Sequence, residues 1–160
     1  MNGDPGDLNE TRIHSADFEP ATLGDIAALV AIDGQSPVPW TVGTFEDEVR
    51  RDPKTLFVLR SAGRVVAFVA ARVQAQDVDI VNVAVDAAER QRGWGGLIVR
   101  RLLERAVEMG ARTAFLEVRE SNLAARRLYE GRGFHETQKR RSFYRDPVED
   151  AVLMSREIGP

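Results

Sequence analysis

The chain has 160 residues, 43% of them apolar and 29% charged, the balance of a globular domain and not of a disordered or fibrous chain. It has no cysteine, which excludes disulfide frameworks, cysteine-based zinc sites and a thiol nucleophile. The net charge of −3 is mixed along the chain, so no large basic footprint for nucleic acid is expected, and no apolar run approaches the ~18 residues of a membrane helix.

Two histidines, His14 and His135, stand too far apart in sequence to suggest a metal cluster, and no metal is expected. Residues 1–12 are polar, acidic and without periodicity. They predict a disordered leader followed by one domain over 13–158. The leader lacks the basic and apolar regions of a signal peptide, so a cytoplasmic protein is expected.

A first strand is predicted around Thr11 to Phe18. Leu23, Ile26, Ala27, Val30 and Ala31 then recur at helical spacing, with Thr22 or Glu19 near the cap and Gly34 at the end. Gln35 to Trp40 holds two prolines and predicts a loop, and Thr44 to Arg51 a short second helix. Leu56 to Arg60 and Val65 to Val73, separated by Ser61-Ala62-Gly63, predict a hairpin. Asp77 to Val85 predicts a third strand that alternates at first and is apolar on both faces later, an edge becoming a buried centre. Leu97 to Met109 carries the clearest helical stripe, closed by Gly110. Thr113 to Arg119 predicts a strand. Ser121 and Asn122 cap a helix running to Arg132 and stopped by Gly133. Two last strands are predicted at His135 to Lys139 and Ala151 to Arg156. This order is that of one α/β or α+β domain.

Chemistry concentrates in two stretches. Val83-Ala84-Val85 feeds a basic, glycine-rich turn, Arg90 to Gly96, which opens a helix. Glycines allow close backbone approach, and a helix N-terminus with added arginines attracts an anion such as a pyrophosphate. Neither a P-loop nor a G-x-G-x-x-G fingerprint is present. A flexible helix start with solvated arginines would read the same way. The second stretch is Phe115 to Arg119, followed by Glu120-Ser121-Asn122 and a helix carrying Tyr129. Alternation puts Phe115, Glu117 and Arg119 on one face. A carboxylate there is either paired, with Arg119 or with a neighbouring strand, or poised in a cleft.

These residues carry a resemblance. Arg90-Gln91-Arg92-Gly93-Trp94-Gly95 is similar to the acyl-CoA signature of the GCN5-related N-acetyltransferase superfamily. Asn122, Ala125, Tyr129, Gly133 and Phe134 resemble its second signature block. Glu117-Val118-Arg119, Ser121-Asn122, Arg140-Arg141, Phe143-Tyr144 and Pro39-Trp40 resemble the bacterial ribosomal-protein-alanine N-acetyltransferases of the RimI type. The resemblance implies a mixed, mostly antiparallel sheet with two splayed central strands and about four helices. It implies acetyl-CoA as co-substrate, with Val83, Ala84 and Val85 along the pantetheine, Gln91, Arg92, Gly93, Trp94, Gly95 and Gly96 around the pyrophosphate, and Asn122 on the cofactor arm. It implies Glu117 as base and Tyr129 as acid. Pro39-Trp40 and Arg140 to Tyr144, both expected in loops outside the cofactor motifs, are predicted to form the two walls of the acceptor cleft, with Trp40 and Tyr144 at the acceptor. The implied acceptor is a protein N-terminal α-amine, that of a ribosomal protein with N-terminal alanine; a lysine side chain or a small amine is the alternative. A CoA-binding protein without catalysis is a third reading, against which Glu117 and Tyr129 both argue. Three positions depart from the family pattern: Trp94 stands where a smaller aliphatic is usual, Gly131 falls in the last turn of the Tyr129 helix, and Phe143 replaces a frequent tyrosine.

Overall fold

The computed structural model describes the backbone of residues 5–159. Among them are five α-helices and seven strands, in a mixed, mostly antiparallel open sheet of order β1-β2-β3-β4-β5-β7-β6. The chain divides into two compact units. The first runs to Ala70 and takes in Asn82–Ile98; the second comprises Ala71–Val81 and the chain from Val99.

The first unit opens with α1 (Pro5–His14) and β1 (Asp17–Pro20). Residues 1–4 of the expected leader lie outside the described residues; from Pro5 the backbone is helical. The strand expected over Thr11 to Phe18 is therefore corrected to the end of a helix and a later, shorter strand. The cause is tertiary: Arg12 donates to Glu89 at 3.1 Å and lies 5.9 Å from the Trp94 ring centroid. A docked helix end overrides local propensity.

A single 3-10 turn at Leu23–Asp25 leads into α2 (Ile26–Asp33). Thr22 donates to Asp25 through both its backbone N–H and its hydroxyl, at 2.9 and 3.1 Å, closing the helix start. Arg60 ties this start to the sheet, donating to Asp25 at 2.8 Å and Glu19 at 2.6 Å. The Thr41 hydroxyl caps α3 (Val42–Arg50) by accepting from the Thr44 N–H. β2 (Leu56–Ser61) and β3 (Arg64–Gln74) form the expected hairpin. Leu29, Ile32, Phe45, Val49, Leu56, Val58 and Phe68 make one core, in which Phe45 meets Phe68 edge-on at 5.4 Å.

β4 (Asp77–Val85) matches its expected bounds. Its first half alternates, with Val78 and Ile80 buried between exposed Asp77, Asp79 and Val81. The second half is only half-buried, which corrects the expectation of a fully buried stretch; it is the first half, Asp77 to Ile80, that pairs with β5 inside the sheet. α4 (Trp94–Glu108) begins three residues earlier than its aliphatic stripe predicts.

In the second unit, β5 (Thr113–Arg119) runs parallel to β4 from Asp77↔Thr113 to Ile80↔Leu116, and antiparallel to β7 (Glu149–Glu157). The α4 residues Leu102, Leu103 and Ala106 are buried, with Arg100–Glu104 and Arg105–Glu108 ion pairs on the wet side. α5 (Leu123–Glu130) ends at Gly131, which serves as its C-cap and so lies just past the helix rather than in its last turn. β6 (His135–Tyr144) extends beyond the predicted Lys139. Arg140 to Tyr144, expected in a loop, is thus the distal part of an exposed edge strand, with an irregular register and Ser142 at φ +50.

Candidate active site

The first unit holds the glycine-rich turn. Val83, Ala84 and Val85 sit half-buried at the end of β4, and the Asp86 side chain caps a 3-10 turn, Ala87–Glu89. Gln91 at φ +60 and Gly93 at φ +88 then bend the backbone into α4. Gly93 O accepts from the Leu97 N–H at 3.0 Å, so the helix opens directly on the turn. The N–H groups of Trp94, Gly95 and Gly96 are thereby first-turn donors, which have no carbonyl within their own helix.

Buried Glu89 anchors this turn. It accepts from Arg12, Arg92 and Trp94 Nε1, at 3.1, 3.3 and 3.3 Å. Burial alone would raise the Glu89 carboxyl, but these hydrogen bonds and the charges of Arg12 and Arg92 hold it below the usual range. The Trp94 side chain is 1% exposed and faces the core, so a ligand at this turn meets Trp94 only through its backbone. Arg90 Nε donates to Val85 O at 3.4 Å. The turn thus fits an anionic group: two positive-φ positions, a helix start and flanking arginines. Trp40, also in this unit, is half-buried against Phe45 at 5.4 Å, and its backbone N–H donates to buried Asp33.

The second unit holds an open groove of about 680 Å³. Asp79, Phe115, Glu117, Arg140 and Tyr144 are among its lining residues. Alternation along β5 points Phe115, Glu117 and Arg119 away from the buried Leu116 and Val118. Glu117 accepts from Arg140 Nη1 at 3.2 Å. Arg140 is neither of the partners considered from the sequence: it lies on β6, one strand beyond the adjacent β7. Arg119 is engaged elsewhere, with Glu149 at 3.4 Å, the carbonyls of Pro147 and Arg145, and the Tyr144 ring at 4.4 Å. That stacking holds Tyr144 in the groove. Burial raises the Tyr144 phenol, the Glu117 charge adds to this, and Arg119 opposes it.

Tyr129 lies on the buried side of α5, edge-on to Phe134 at 5.8 Å. Burial, with a contribution from Tyr144, pushes its phenol up to about 12. It is a proton donor throughout the neutral range. The phenol is raised above its unfolded value, so the stabilisation from keeping it neutral is present below about pH 10 and is lost as pH rises through about 12. The chain has two tyrosines. Titration by phenolate ultraviolet absorbance should show a last step near 12 that is absent from Tyr129→Phe. A single step at the ordinary tyrosine value would place Tyr129 in water. Asn122 uses its side-chain oxygen to cap α5, accepting from the Ala125 N–H at 3.1 Å. This leaves its amide N–H groups as the donors for any ligand.

Sequence reasoning missed Glu89 and the pairing of Arg140 with Glu117. Glu89 carried a signal, its spacing of three from Arg92; Arg140 was singled out only through the resemblance, and its pairing with Glu117 carried no signal because the two lie two strands apart in the sheet. Among the described residues, no group of three or more acidic or histidine side chains gathers as a metal ion would need, and no helix is long and apolar enough to cross a membrane.

The comparisons with known proteins agree over most of the chain. The profile of the Acetyltransferase (GNAT) family matches residues 25–134. The ribosomal protein bS18-alanine N-acetyltransferase of Escherichia coli (strain K12) is 34% identical over 123 residues, 76% of this chain and 82% of that protein. The N-alpha-acetyltransferase RimI of Mycobacterium tuberculosis is 31% identical over 157 residues, 91% of this chain and 98% of that protein. The crystal structure of the Escherichia coli ribosomal-protein-S18-alanine N-acetyltransferase superposes with a TM-score of 0.82 at 30% identity, over 91% of this chain and 95% of that one. With the expected sheet and both signature stretches in place, the chain belongs to the GNAT acetyltransferase family and is an N-acetyltransferase.

Proposed function

We propose that this enzyme moves the acetyl group of acetyl-CoA to the N-terminal α-amine of a protein, the N-terminal alanine of a ribosomal protein being the acceptor best supported. The observation that carries the reading is Glu117, a carboxylate on the open face of β5 lining an open groove of about 680 Å³. The names of the relatives support the acceptor, and a ribosomal acceptor would place the enzyme in the cytoplasm.

The donor would lie with its pantetheine along the backbone of Val83, Ala84 and Val85 and its pyrophosphate on Gln91 to Gly96. Asn122 would meet the cofactor arm through its amide N–H groups. The acceptor would reach Glu117 beside Tyr144, with Trp40 a second acceptor residue. A protonated amine cannot attack. An α-amine has a pKa near 8, so freeing it costs only ~1 kcal/mol at pH 7, whereas a lysine amine near 10.4 costs several times more. Glu117 takes this proton, directly or through one water. The freed amine attacks the thioester carbon, the carbon–sulfur bond breaks, and the leaving thiolate takes a proton from the Tyr129 hydroxyl, which the second proton shed by the acylated nitrogen restores. No covalent enzyme intermediate is needed, in keeping with a chain that has no cysteine.

A panel of peptides differing only at the first residue, with a lysine peptide and small amines beside it, tests this by mass. We expect a single acetyl group on the α-amine of the alanine-starting peptide, at the highest rate in the panel. Transfer confined to lysine or to small amines would establish the alternative acceptor. CoA binding without any transfer would make the protein a non-catalytic binder.

A further inference from the structure

Arg140 reaches Glu117 from an unusual distance. In the ladders, Glu117 faces Leu153 of β7, while Arg140 faces Ala151 from the edge strand β6. Two strand spacings of ~4.8 Å separate β6 from β5, so the arginine stem extends across β7 to deliver its guanidinium. The side chains are 48% and 35% exposed, and ion pairs of that exposure exchange readily. The guanidinium carbon also lies 5.7 Å from the Phe143 ring, within cation–π reach, so a second resting place is adjacent. The other charged or titratable groups lining the groove near Glu117 are Arg72 of β3, Asp79 of β4 and Tyr144 of β6. Arg119 of β5 is committed to Glu149, and Lys139 of β6 to Glu120. Arg140 thus stands on the Glu117 carboxylate at 3.2 Å.

We propose that Arg140 is a positioning residue that selects a neutral or readily neutralised acceptor amine, an inference that rests on the α-amine reading above. Its guanidinium occupies the place on Glu117 that an acceptor ammonium would take as an ion pair. The incoming acceptor moves it toward Phe143, where it stays charged beside the amine. A like charge disfavours the ammonium form, so the amine gives up its proton to Glu117 more easily. Arg140 itself neither gains nor loses a proton. The same repulsion falls hardest on a lysine side chain, which holds its proton more tightly than an α-amine.

The test compares the parent with Arg140→Gln and Arg140→Lys. Binding of an alanine-starting peptide to the CoA-loaded protein is measured by calorimetry, with the terminus free and N-acetylated, and kcat is followed across about pH 6 to 9. Arg140→Gln should bind the free-amine peptide ~3-fold more tightly and the acetylated one unchanged. The acid limb of its kcat profile should move up by about half a pH unit, and Arg140→Lys should restore the parental behaviour in both. Weaker binding of the free-amine peptide, equal changes for both peptides, or an unmoved acid limb would overturn the proposal and leave Arg140 as a peptide contact or a surface pair. If the parent acetylates no peptide, the α-amine reading fails by itself. The binding comparison then still decides whether an ammonium and Arg140 compete for Glu117.

Discussion

Gly93→Asp should weaken acetyl-CoA binding on the order of 10²-fold, because it places a carboxylate where the turn would face a pyrophosphate. The geometry adds a second effect. Gly93 has φ +88, and a Cβ there would lie 3.3 Å from Ile13 Cδ1, the movable end of a side chain. Any L-residue at this φ is strained by ~1 kcal/mol or more, with Asp and Asn the least disfavoured. Gly93→Asn therefore carries the same backbone strain and nearly the same volume without the charge. Calorimetry with CoA should show Gly93→Asn modestly weakened and Gly93→Asp at least ~10-fold weaker again, at closely similar melting temperatures. Equal affinities for the two variants would mean that no phosphate approaches this turn, and the donor assignment would move elsewhere.

What could be read in advance follows the range of the interaction that fixes each element. α4 and β5 were legible because their patterns are local: a 3.6-residue stripe closed by Gly110 at φ +94, and strict alternation between Ala114, Leu116 and Val118 and their exposed neighbours. The caps Thr22 and Asn122 were legible for the same reason. Trp94 was readable in principle, since it continues the Leu97 and Ile98 stripe three residues upstream; the flanking glycines disguised a core residue as a loop residue. α1 was not readable. Its end is held by an ion pair between Arg12 and Glu89, seventy-seven residues apart, and no window of sequence contains both. The distal half of β6 was hidden likewise. Lys139, Arg140, Arg141 and Ser142 have no apolar alternation; Lys139 and Arg140 are held extended by pairing with β7, and the strand resumes that pairing at Tyr144 after the irregularity at Ser142. The candidate site divides the same way. Glu117 and Tyr144 came from motif and face, while the pairing of Glu117 with Arg140 and of Tyr144 with Arg119 needed the sheet order.

General acid–base contributions typically span ~10²–10⁴-fold, about 3–5 kcal/mol of barrier, so Glu117→Gln and Tyr129→Phe should each lower kcat by at least ~10-fold. Both changes conserve shape. Glu117 lies on an exposed strand face, so its amide is solvated and acetyl-CoA binding should be little altered. The Tyr129 ring keeps its packing on Phe134 in the phenylalanine variant, which loses only the hydroxyl. The two defects should differ in their response to pH. At high pH more of the acceptor amine is already neutral, so the Glu117→Gln defect should shrink as pH rises. The Tyr129→Phe defect should persist, because protonating the leaving thiolate is a separate step. With its phenol pushed up to about 12, Tyr129 stays a donor across that whole range. Glu117→Gln also releases Arg140 from its partner, so the double change with Arg140→Gln should cost less than the sum of the two alone. Parental rates in both single variants across the neutral range would show that water carries the protons. Glu117 would then be a strand carboxylate paired with Arg140.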